Sequence, residues 1–345
     1  MRPVLVTGGA GFIGCNLADR LAQVGHDVLV FDALKRPGVA DNLAWLRNRH
    51  PRRISTIVAD IREEAEVARA VAESCAVFHF AAQVAVTTSL DDPRHDFEIN
   101  AGGTLLLLEC IRRYNPGAPL VFASTNKVYG HLPNVVLAEQ GQCYLPVDQH
   151  LRDHGINEEQ PLSFETPYGC SKGAADQYVL DYARGFGLLA AVLRMSCVYG
   201  PRQHGTEDQG WVAHFLRRAM AREPITIYGD GRQVRDILYI ADAIEAYLAA
   251  WQRIQAVSGR AFNLGGGPRN AVSLLQIIRR IEGILGISAE LTFAPWRLAD
   301  QQYFVADSRC AAAALGLNPP IDWSTGIGLL ARWLSQQSSP VMAKL

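Results

Sequence analysis

Hydrophobic positions in the first half of the chain follow two alternating periods. Short apolar runs at residues 3–7, 27–32, 55–60, 76–82 and 119–124 have the length and composition of buried strands. Segments between them, at residues 12–25, 63–73 and 98–114, repeat apolar residues at helical spacing. This β-α-β-α order predicts an α/β fold, with a doubly wound parallel sheet and helices on both of its faces.

Two stretches of this half depart from the alternation. Residues 34–50 form a polar, basic stretch after the second strand. Residues 131–165 are rich in Pro, Asn, Asp, His and Glu, and they predict a long loop with little periodicity. A loop of that length in a compact enzyme is usually functional or a lid, and the alternative is a tolerated surface insertion.

The hydrophobic pattern of the second half predicts shorter helices and strands, and fewer strands, than that of the first half. Helical patterns occupy residues 211–223 and 242–254, and residues 224–231 predict a strand and a turn. Two further strands are predicted that return to the main sheet. We therefore expect a first domain at 1–187, with strands near 188–200 and 260–267 returning to it, and a smaller, interleaved substrate lobe at 201–345.

Composition narrows the classes of function. The 345 residues are 49% apolar and 19% charged, with a net charge of −1 and no basic stripe, which argues against nucleic-acid binding. No apolar stretch reaches the roughly 20 residues of a membrane helix, and no signal-peptide core is present. Seven cysteines form no CxxC pair. We expect a reduced, cytoplasmic protein with inert, mostly buried thiols and no metal site.

The first strand runs directly into TGGAGFIG, which opens a helix. Gly8, Gly11 and Gly14 there permit a tight turn, close approach of the backbone to a pyrophosphate, and close packing of helix on strand. Asp32 ends the second strand, where an acid can accept hydrogen bonds from the adenosine ribose and repel the extra phosphate of NADP. We therefore predict a Rossmann-type domain that binds NAD. The alternative is an ordinary glycine-rich turn, and Lys35 and Arg36 leave some tolerance of NADP open.

Further cofactor contacts are expected at the ends of the other strands. Asp60 ends the third strand, where it either contacts the adenine amino group or caps a turn. Asn100 has either a structural role, through bonds to the backbone, or a catalytic one. The predicted cofactor contacts are Gly8, Gly11, Phe12, Ile13, Asp32, Lys35, Arg36, Asp60, Ile61, Phe80, Ala81, Ala82, Asn100, Tyr168 and Lys172.

Residues 165–187 predict a helix with Thr166 as its cap and Pro167 in its first position. Tyr168 and Lys172 lie four residues apart and therefore share one face. A free tyrosine has a pKa near 10, but a nearby ammonium and an oxidised nicotinamide both favour the phenolate. Beside NAD, this pair is predicted to accept the proton of an alcohol during its oxidation.

The sequence STNKVYG, at residues 124–130, follows a predicted buried strand and supplies Thr125 with a hydroxyl at the strand end. The order TGGAGFIG, STNKVYG, YGCSK resembles the extended short-chain dehydrogenase/reductase family, which includes NAD-dependent epimerases and dehydratases. The resemblance covers essentially the whole chain, and members of the family act largely on nucleotide-activated sugars. It implies that Thr125 binds the reacting hydroxyl beside Tyr168 and that Lys172 also holds the nicotinamide ribose.

The two positions after Thr125 separate branches of that family. In its 4,6-dehydratases they are Asp and Glu, which supply the acid and base for loss of water. Here they are Asn126 and Lys127. An amide cannot transfer a proton, whereas an epimerase that oxidises and reduces one carbon needs a single acid/base.

Five segments, STNKVYG, QVAVTTS, TPYGCSKGAADQY, DQGWV and QVRDILY, resemble a 2-epimerase branch of the family. The resemblance implies an isomerase that inverts C2 of a CDP-linked deoxyhexose through a 2-keto intermediate, with tightly held NAD. The alternatives are a nucleotide-sugar 4-epimerase or related oxidoreductase, and a catalytically inactive NAD-sensing protein. An intact Thr125, Tyr168 and Lys172 argue against the last.

The resemblance also implies substrate contacts. Arg235 and Arg297 match positions that bind the nucleotide ribose and diphosphate in the wider family, and a guanidinium fork suits a diphosphate. A surface ion pair is the alternative for each. The remaining pocket candidates are Gln83, Thr88, Thr125, Asn126, Cys197, Gln209 and Trp211. Because family members usually pair through two long helices, we expect a homo-oligomer, a dimer or tetramer, that uses residues 100–114 and 168–184.

Overall fold

The computed structural model describes residues 2–338. Its strands are β1 Val4–Thr7, β2 Val28–Asp32, β3 Ile54–Val58, β4 Ala76–His79, β5 Leu120–Thr125, β6 Leu137–Gln140, β7 Cys143–Pro146, β8 Ala190–Met195, β9 Cys197–Tyr199, β10 Ile225–Tyr228, β11 Val234–Tyr239, β12 Ala261–Leu264, β13 Ala271–Ser273, β14 Leu291–Ala294 and β15 Tyr303–Phe304. Its helices are α1 Phe12–Gln23, α2 Val39–Arg49, α3 Glu64–Ala72, α4 Val86–Asp91, α5 Pro93–Phe97, α6 Gly103–Tyr114, α7 Gln149–His154, α8 Thr166–Gly185, α9 Trp211–Met220, α10 Ile240–Gln252, α11 Ile254–Val257, α12 Leu274–Leu285, α13 Arg309–Leu315 and α14 Trp323–Ser338.

Seven parallel strands form the central sheet, in the order β3-β2-β1-β4-β5-β8-β12. Alternate residues of a strand point to opposite faces, so Val4 and Val6 pack in one apolar cluster while Leu5 packs in another. Helix α1 adds Leu17 to the first cluster and α3 adds Val67 to the second. Burial on both faces explains the continuous apolar runs in the sequence. The predicted doubly wound α/β fold is confirmed.

The parallel register brings the carboxyl ends of these strands to one edge of the sheet. Thr7, at the end of β1, pairs with Phe31 and His79, and Thr125 pairs with Met195. Asp32 is the last residue of β2. In sheets of this topology, ligands bind outside the carboxyl ends of the strands.

The C-terminal half contributes to two regions. Strands β8 and β12 lie in the central sheet, whereas β9, β11, β13 and β15 form a second sheet, and β10 pairs with β14. We call the part of the chain that carries these last six strands the second lobe. The chain therefore passes back and forth between the regions, and residues 196–199 leave the first sheet directly for the second.

Three features differ from expectation. Residues 34–50 contain helix α2, which buries Leu43 and Leu46 in the core, so tertiary packing stabilises an element of weak amphipathic pattern. Residues 131–165 are not one irregular loop, since they include the β6–β7 hairpin and α7. The thiols are also more accessible than predicted: Cys15 and Cys110 are buried, but three of the seven free cysteines are exposed. Among residues 2–338, no helix is long and apolar enough to cross a membrane.

Candidate active site

The glycine turn between β1 and α1 is closed by contacts that a side chain would prevent. Gly8 has a φ of +66°, and a Cβ there would lie 2.6 Å from the Ala81 nitrogen at the end of β4. A Cβ on Gly14 would lie 2.3 Å from the Gly8 oxygen. The backbone of this turn and the first turn of α1 are thus free of side chains where a pyrophosphate would lie against N–H groups. Phe12 and Ile13 pack partly buried against the core below the turn.

Asp32 faces this turn. Its carboxylate accepts hydrogen bonds from the Ala10 N–H at 3.0 Å and the Leu34 N–H at 2.8 Å, while burial raises the pKa of the carboxyl. Each carboxylate oxygen can accept a further bond, so the residue fits an adenosine ribose. Together the glycine turn and Asp32 fit NAD.

The neighbouring basic residues have partners of their own. Lys35 lies 2.7 Å from Asp60, whose two carboxylate oxygens also receive Arg62 at 2.9 and 3.0 Å. These charges hold the pKa of Asp60 well below its usual range. Arg36 donates to Gln209 and lies close enough to Asp32 and Tyr168 to influence both charges. Arg36 therefore lies between the cofactor edge and the reacting edge.

Asn100 links the end of β4 to the tyrosine helix. It lies in a single π-helical turn, Glu98–Gly102, a feature frequent at functional sites. Its amide donates to the Gln83 carbonyl at 3.1 Å and to Ser171 at 3.0 Å, and it accepts from the Gln83 N–H at 2.9 Å. Ile61 packs under Gly103 in the next turn of the helix. These bonds tie the loop that follows Ala81 and Ala82 to helix α8.

Tyr168 lies in the first turn of α8 and is only 9% exposed. The helix begins at Thr166, with Glu165 in the cap position, although the Thr166 hydroxyl accepts the Gly169 N–H at 3.3 Å as a cap would. Burial raises the pKa of the Tyr168 phenol to about 12, against a lowering hydrogen bond from Thr125. Tyr168 therefore needs nearby positive charge before it can act as a base.

Lys172 lies one turn further along the same helix. Its ammonium donates to the Ala123 carbonyl at 2.7 Å and lies 4.2 Å from the centre of the Phe122 ring. Burial lowers its pKa to about 7, while Asp176 and Asp96 oppose this. Lys172 is thus fixed beneath the end of β5, on the face of α8 that carries Tyr168.

The segment STNKVYG forms a short 3₁₀ turn at the end of β5. The Thr125 hydroxyl accepts the Lys127 N–H at 3.2 Å and lies 3.4 Å from the Asn126 side-chain oxygen. The Lys127 ammonium donates to the Ala299 carbonyl at 3.3 Å, and burial lowers its pKa to about 8 with a further contribution from Arg235. The turn therefore meets residues of the second lobe.

Arg235 is buried rather than on the surface. It contacts Asp300 at 2.8 Å and the carbonyls of Val234 and Gln301. Cys197 lies near Arg235 and Lys127 and is hydrogen-bonded with Trp211, and burial raises the pKa of its thiol. Arg235, with its partner Asp300, and Cys197 therefore lie beside Lys127 in the turn that follows β5.

Arg297 lies further out in the second lobe. Its guanidinium stacks 3.8 Å from the centre of the Tyr228 ring, donates to the Glu207 carbonyl at 3.1 Å and lies 3.2 Å from Asp208. The arginine is thus held flat against an aromatic ring, with an ion pair at its edge.

One pocket candidate uses its side chain locally and another is exposed. Gln83 uses its amide on its own loop, at 2.8 Å and 2.5 Å from the backbone of Ala85, and Thr88 is exposed. The preceding Thr87 instead has a buried hydroxyl with no partner among the described residues. Gln301, which lies in no recognisable sequence motif, is buried and hydrogen-bonds to Asn126. Among the same residues, no cluster of His, Cys, Asp or Glu could hold a metal ion.

The sheet order, the glycine turn and the Thr125–Tyr168–Lys172 edge together define an enzyme of the nicotinamide-dependent short-chain dehydrogenase type. The sequence profile described as "NAD dependent epimerase/dehydratase family" matches residues 4–265. The chain belongs to this family, and its cofactor is NAD.

Individual proteins support the same assignment. The chain is 43% identical to the CDP-paratose 2-epimerase of Salmonella typhi over 341 residues, which cover 96% of this chain and 99% of that protein. It superposes with a TM-score of 0.83 on UDP-glucose 4-epimerase from Thermotoga maritima with UDP-glucose, at 30% identity over 98% of this chain and all of the other. UDP-glucuronic acid 4-epimerase from Bacillus cereus, in complex with UDP-glucuronic acid and NAD, also has a TM-score of 0.83, at 27% identity over 97% and 99% of the chains.

Proposed function

We propose that the chain is an NAD-dependent isomerase that inverts C2 of a nucleotide-linked hexose, of the CDP-paratose/CDP-tyvelose 2-epimerase type. The observation that carries the proposal is a complete Thr125, Tyr168 and Lys172 edge next to Asn126 and Lys127, where dehydratases would need an acid and a base. The 43% identity to a CDP-paratose 2-epimerase over nearly the whole chain supports C2 and the CDP group.

When bound, NAD accepts a hydride from carbon and returns it. The side chains of the protein accept one proton, hold it and return it. Tyr168 accepts the proton of the C2 hydroxyl and returns it to the same oxygen after the keto sugar has turned its opposite face towards the cofactor. Thr125 positions the oxygen, and Lys172 places positive charge that favours the phenolate. Asn126 has no proton to transfer, so water is not eliminated.

We propose that the second lobe holds the nucleotide. Arg235 and Arg297 offer guanidinium groups to a diphosphate, and the ring of Tyr228 already stacks on Arg297 at 3.8 Å. Lys127, with its ammonium between the lobes, adds charge at the sugar end. Tightly held substrate would compete with Asp300 and Asp208 for these cations.

We also propose a homo-oligomer that works in the cytoplasm. Helices α6 and α8 contact each other, and apolar rings on and next to them are exposed: Phe97, Tyr114, Tyr178 and Phe186. Such a surface fits a second copy of the chain. Sedimentation of the purified protein tests this, and a monomer would contradict it.

An isotope experiment tests the proposed reaction. Substrate that carries deuterium at C2 should give C2-inverted product that keeps the deuterium, because the same hydride leaves and returns. Reaction in heavy water should place no label on C2. Exchange of C2 deuterium with solvent would contradict the mechanism, and inversion at C4 would favour the 4-epimerase alternative. No turnover of any nucleotide sugar, with NAD bound, would favour the NAD-sensing alternative.

A further inference from the structure

Gln301 is a second-lobe residue that reaches the end of β5. The residue is 1% exposed and lies two positions before the strand β15. The Val234 N–H donates to the Gln302 carbonyl at 2.9 Å, and Arg235 donates to the carbonyl of Gln301 itself. Because both bonds tie this segment to β11, the glutamine side chain extends from a rigid edge.

The hydrogen bonds of Gln301 fix the direction of its amide. Its Nε2 donates to the Gly130 carbonyl, which can only accept. Its Oε1 therefore faces Asn126 and accepts from Asn126 Nδ2 at 3.2 Å. Asn126 Oδ1 must then point the other way, and it lies 3.4 Å from the Thr125 hydroxyl. In this pair the threonine is the donor.

The hydrogen-bond directions of Gln301 and Asn126 limit the bonds that the Thr125 hydroxyl can make. Its oxygen already accepts the Lys127 N–H at 3.2 Å. Its single proton can go either to Asn126 Oδ1 or to the Tyr168 oxygen, where it lowers the pKa of the phenol. If the Asn126 amide were flipped, its NH₂ group would face the Thr125 oxygen, and the threonine O–H would have to point elsewhere. The orientation of Asn126 therefore decides how Thr125 meets the reacting oxygen.

We propose that Gln301 is a positioning residue for the reacting centre: from the second lobe it holds the Asn126 amide in one orientation and so sets the hydrogen-bonding direction of Thr125. The inference rests on the proposed function only in assigning Thr125 and Tyr168 to the reacting hydroxyl. It also gives Asn126 a role other than direct substrate binding.

The test is a double-variant comparison. Gln301→Leu removes both side-chain bonds at similar volume, and kcat should fall about 10- to 100-fold because a misplaced group near the reacting atoms costs of that order. KM should change less than about threefold, and the bound NAD content should stay the same. Asn126→Ala should lower kcat similarly. The double variant should be no slower than the slower single variant, because Gln301 acts through Asn126.

A matched control separates positioning from stability. Gln276 closes the capping box of α12 through its bonds with Ser273, so Gln276→Leu should lower the melting temperature and keep kcat. Wild-type kcat in Gln301→Leu, or losses that multiply in the double variant, would overturn the proposal. If leucine prevents folding, Gln301→Met fills the same space with a flexible chain. Each kcat is expressed as a ratio to that of the wild-type enzyme on a nucleotide sugar that the wild type converts. If the wild type inverted C4 rather than C2, the proposed function would be contradicted, but the comparison would still test the role of Gln301.

Discussion

Replacing Tyr168 by phenylalanine removes one oxygen from the reacting edge and leaves the packed ring in place. We expect kcat to fall by about 10² to 10⁴, the usual contribution of a positioned acid/base. Bound NAD and the melting temperature should stay close to those of wild type, because the contacts of the ring do not change.

The pKa of the Tyr168 phenol shows how much free energy its deprotonation requires. Burial raises it to about 12, and one pKa unit corresponds to about 1.36 kcal/mol. At an assay pH of about 8, forming the phenolate would therefore cost roughly 5 kcal/mol in the cofactor-free protein. Positive charge near the phenol, from Arg36 in the structure and from the oxidised nicotinamide when NAD is bound, has to offset most of this. Because the base must be deprotonated, wild-type turnover should rise with pH, and Tyr168→Phe should lose that rise.

The assay follows formation of C2-inverted product by proton NMR at several pH values. Tyr182→Phe is the matched control: Tyr182 lies on the same helix, its phenol donates to Glu109 at 2.8 Å, and its pKa is also about 12. This variant should keep full activity. Turnover of Tyr168→Phe within tenfold of wild type, or an unchanged pH profile, would show that another group is the base.

Two further predictions concern the cofactor and stability. Protein denatured after purification should release NAD(H), since Asp32 disfavours the NADP phosphate; chromatography of the released nucleotide that finds mostly NADP would contradict this assignment. Burial, with a smaller contribution from Lys172, lowers the pKa of His79 from 6.5 to about 3. The unfolded chain binds this proton first, so stability should fall as pH drops from 6.5 towards 3, by about 2 kcal/mol at pH 5. Urea unfolding should show this loss in wild type but not in His79→Asn, and equal losses in both would count against it.

The sequence by itself determined those parts of the protein that depend on local pattern. Apolar runs such as residues 28–31 become strands buried on both faces, because helices cover the sheet on each side. The Gly8 turn could be predicted because only glycine fits a φ of +66° against the Ala81 backbone. Tyr168 and Lys172 share a face because the helix repeat places residues four apart together.

Only the tertiary structure decided which distant residues meet at the site. Helix α2 was missed because its stability comes from burying Leu43 and Leu46 rather than from its own polar sequence. The partner of Asn126 lies 175 residues away, and no local pattern distinguishes Gln301 from the exposed Gln302 beside it. The Val234 N–H bond to the Gln302 carbonyl continues the β11–β15 pairing into this segment, where Gln301 is buried and Gln302 is exposed. The hydrophobic period and the spacing of residues determine the structure of a single helix or strand. A site assembled from two lobes depends instead on how elements far apart in the chain pack together.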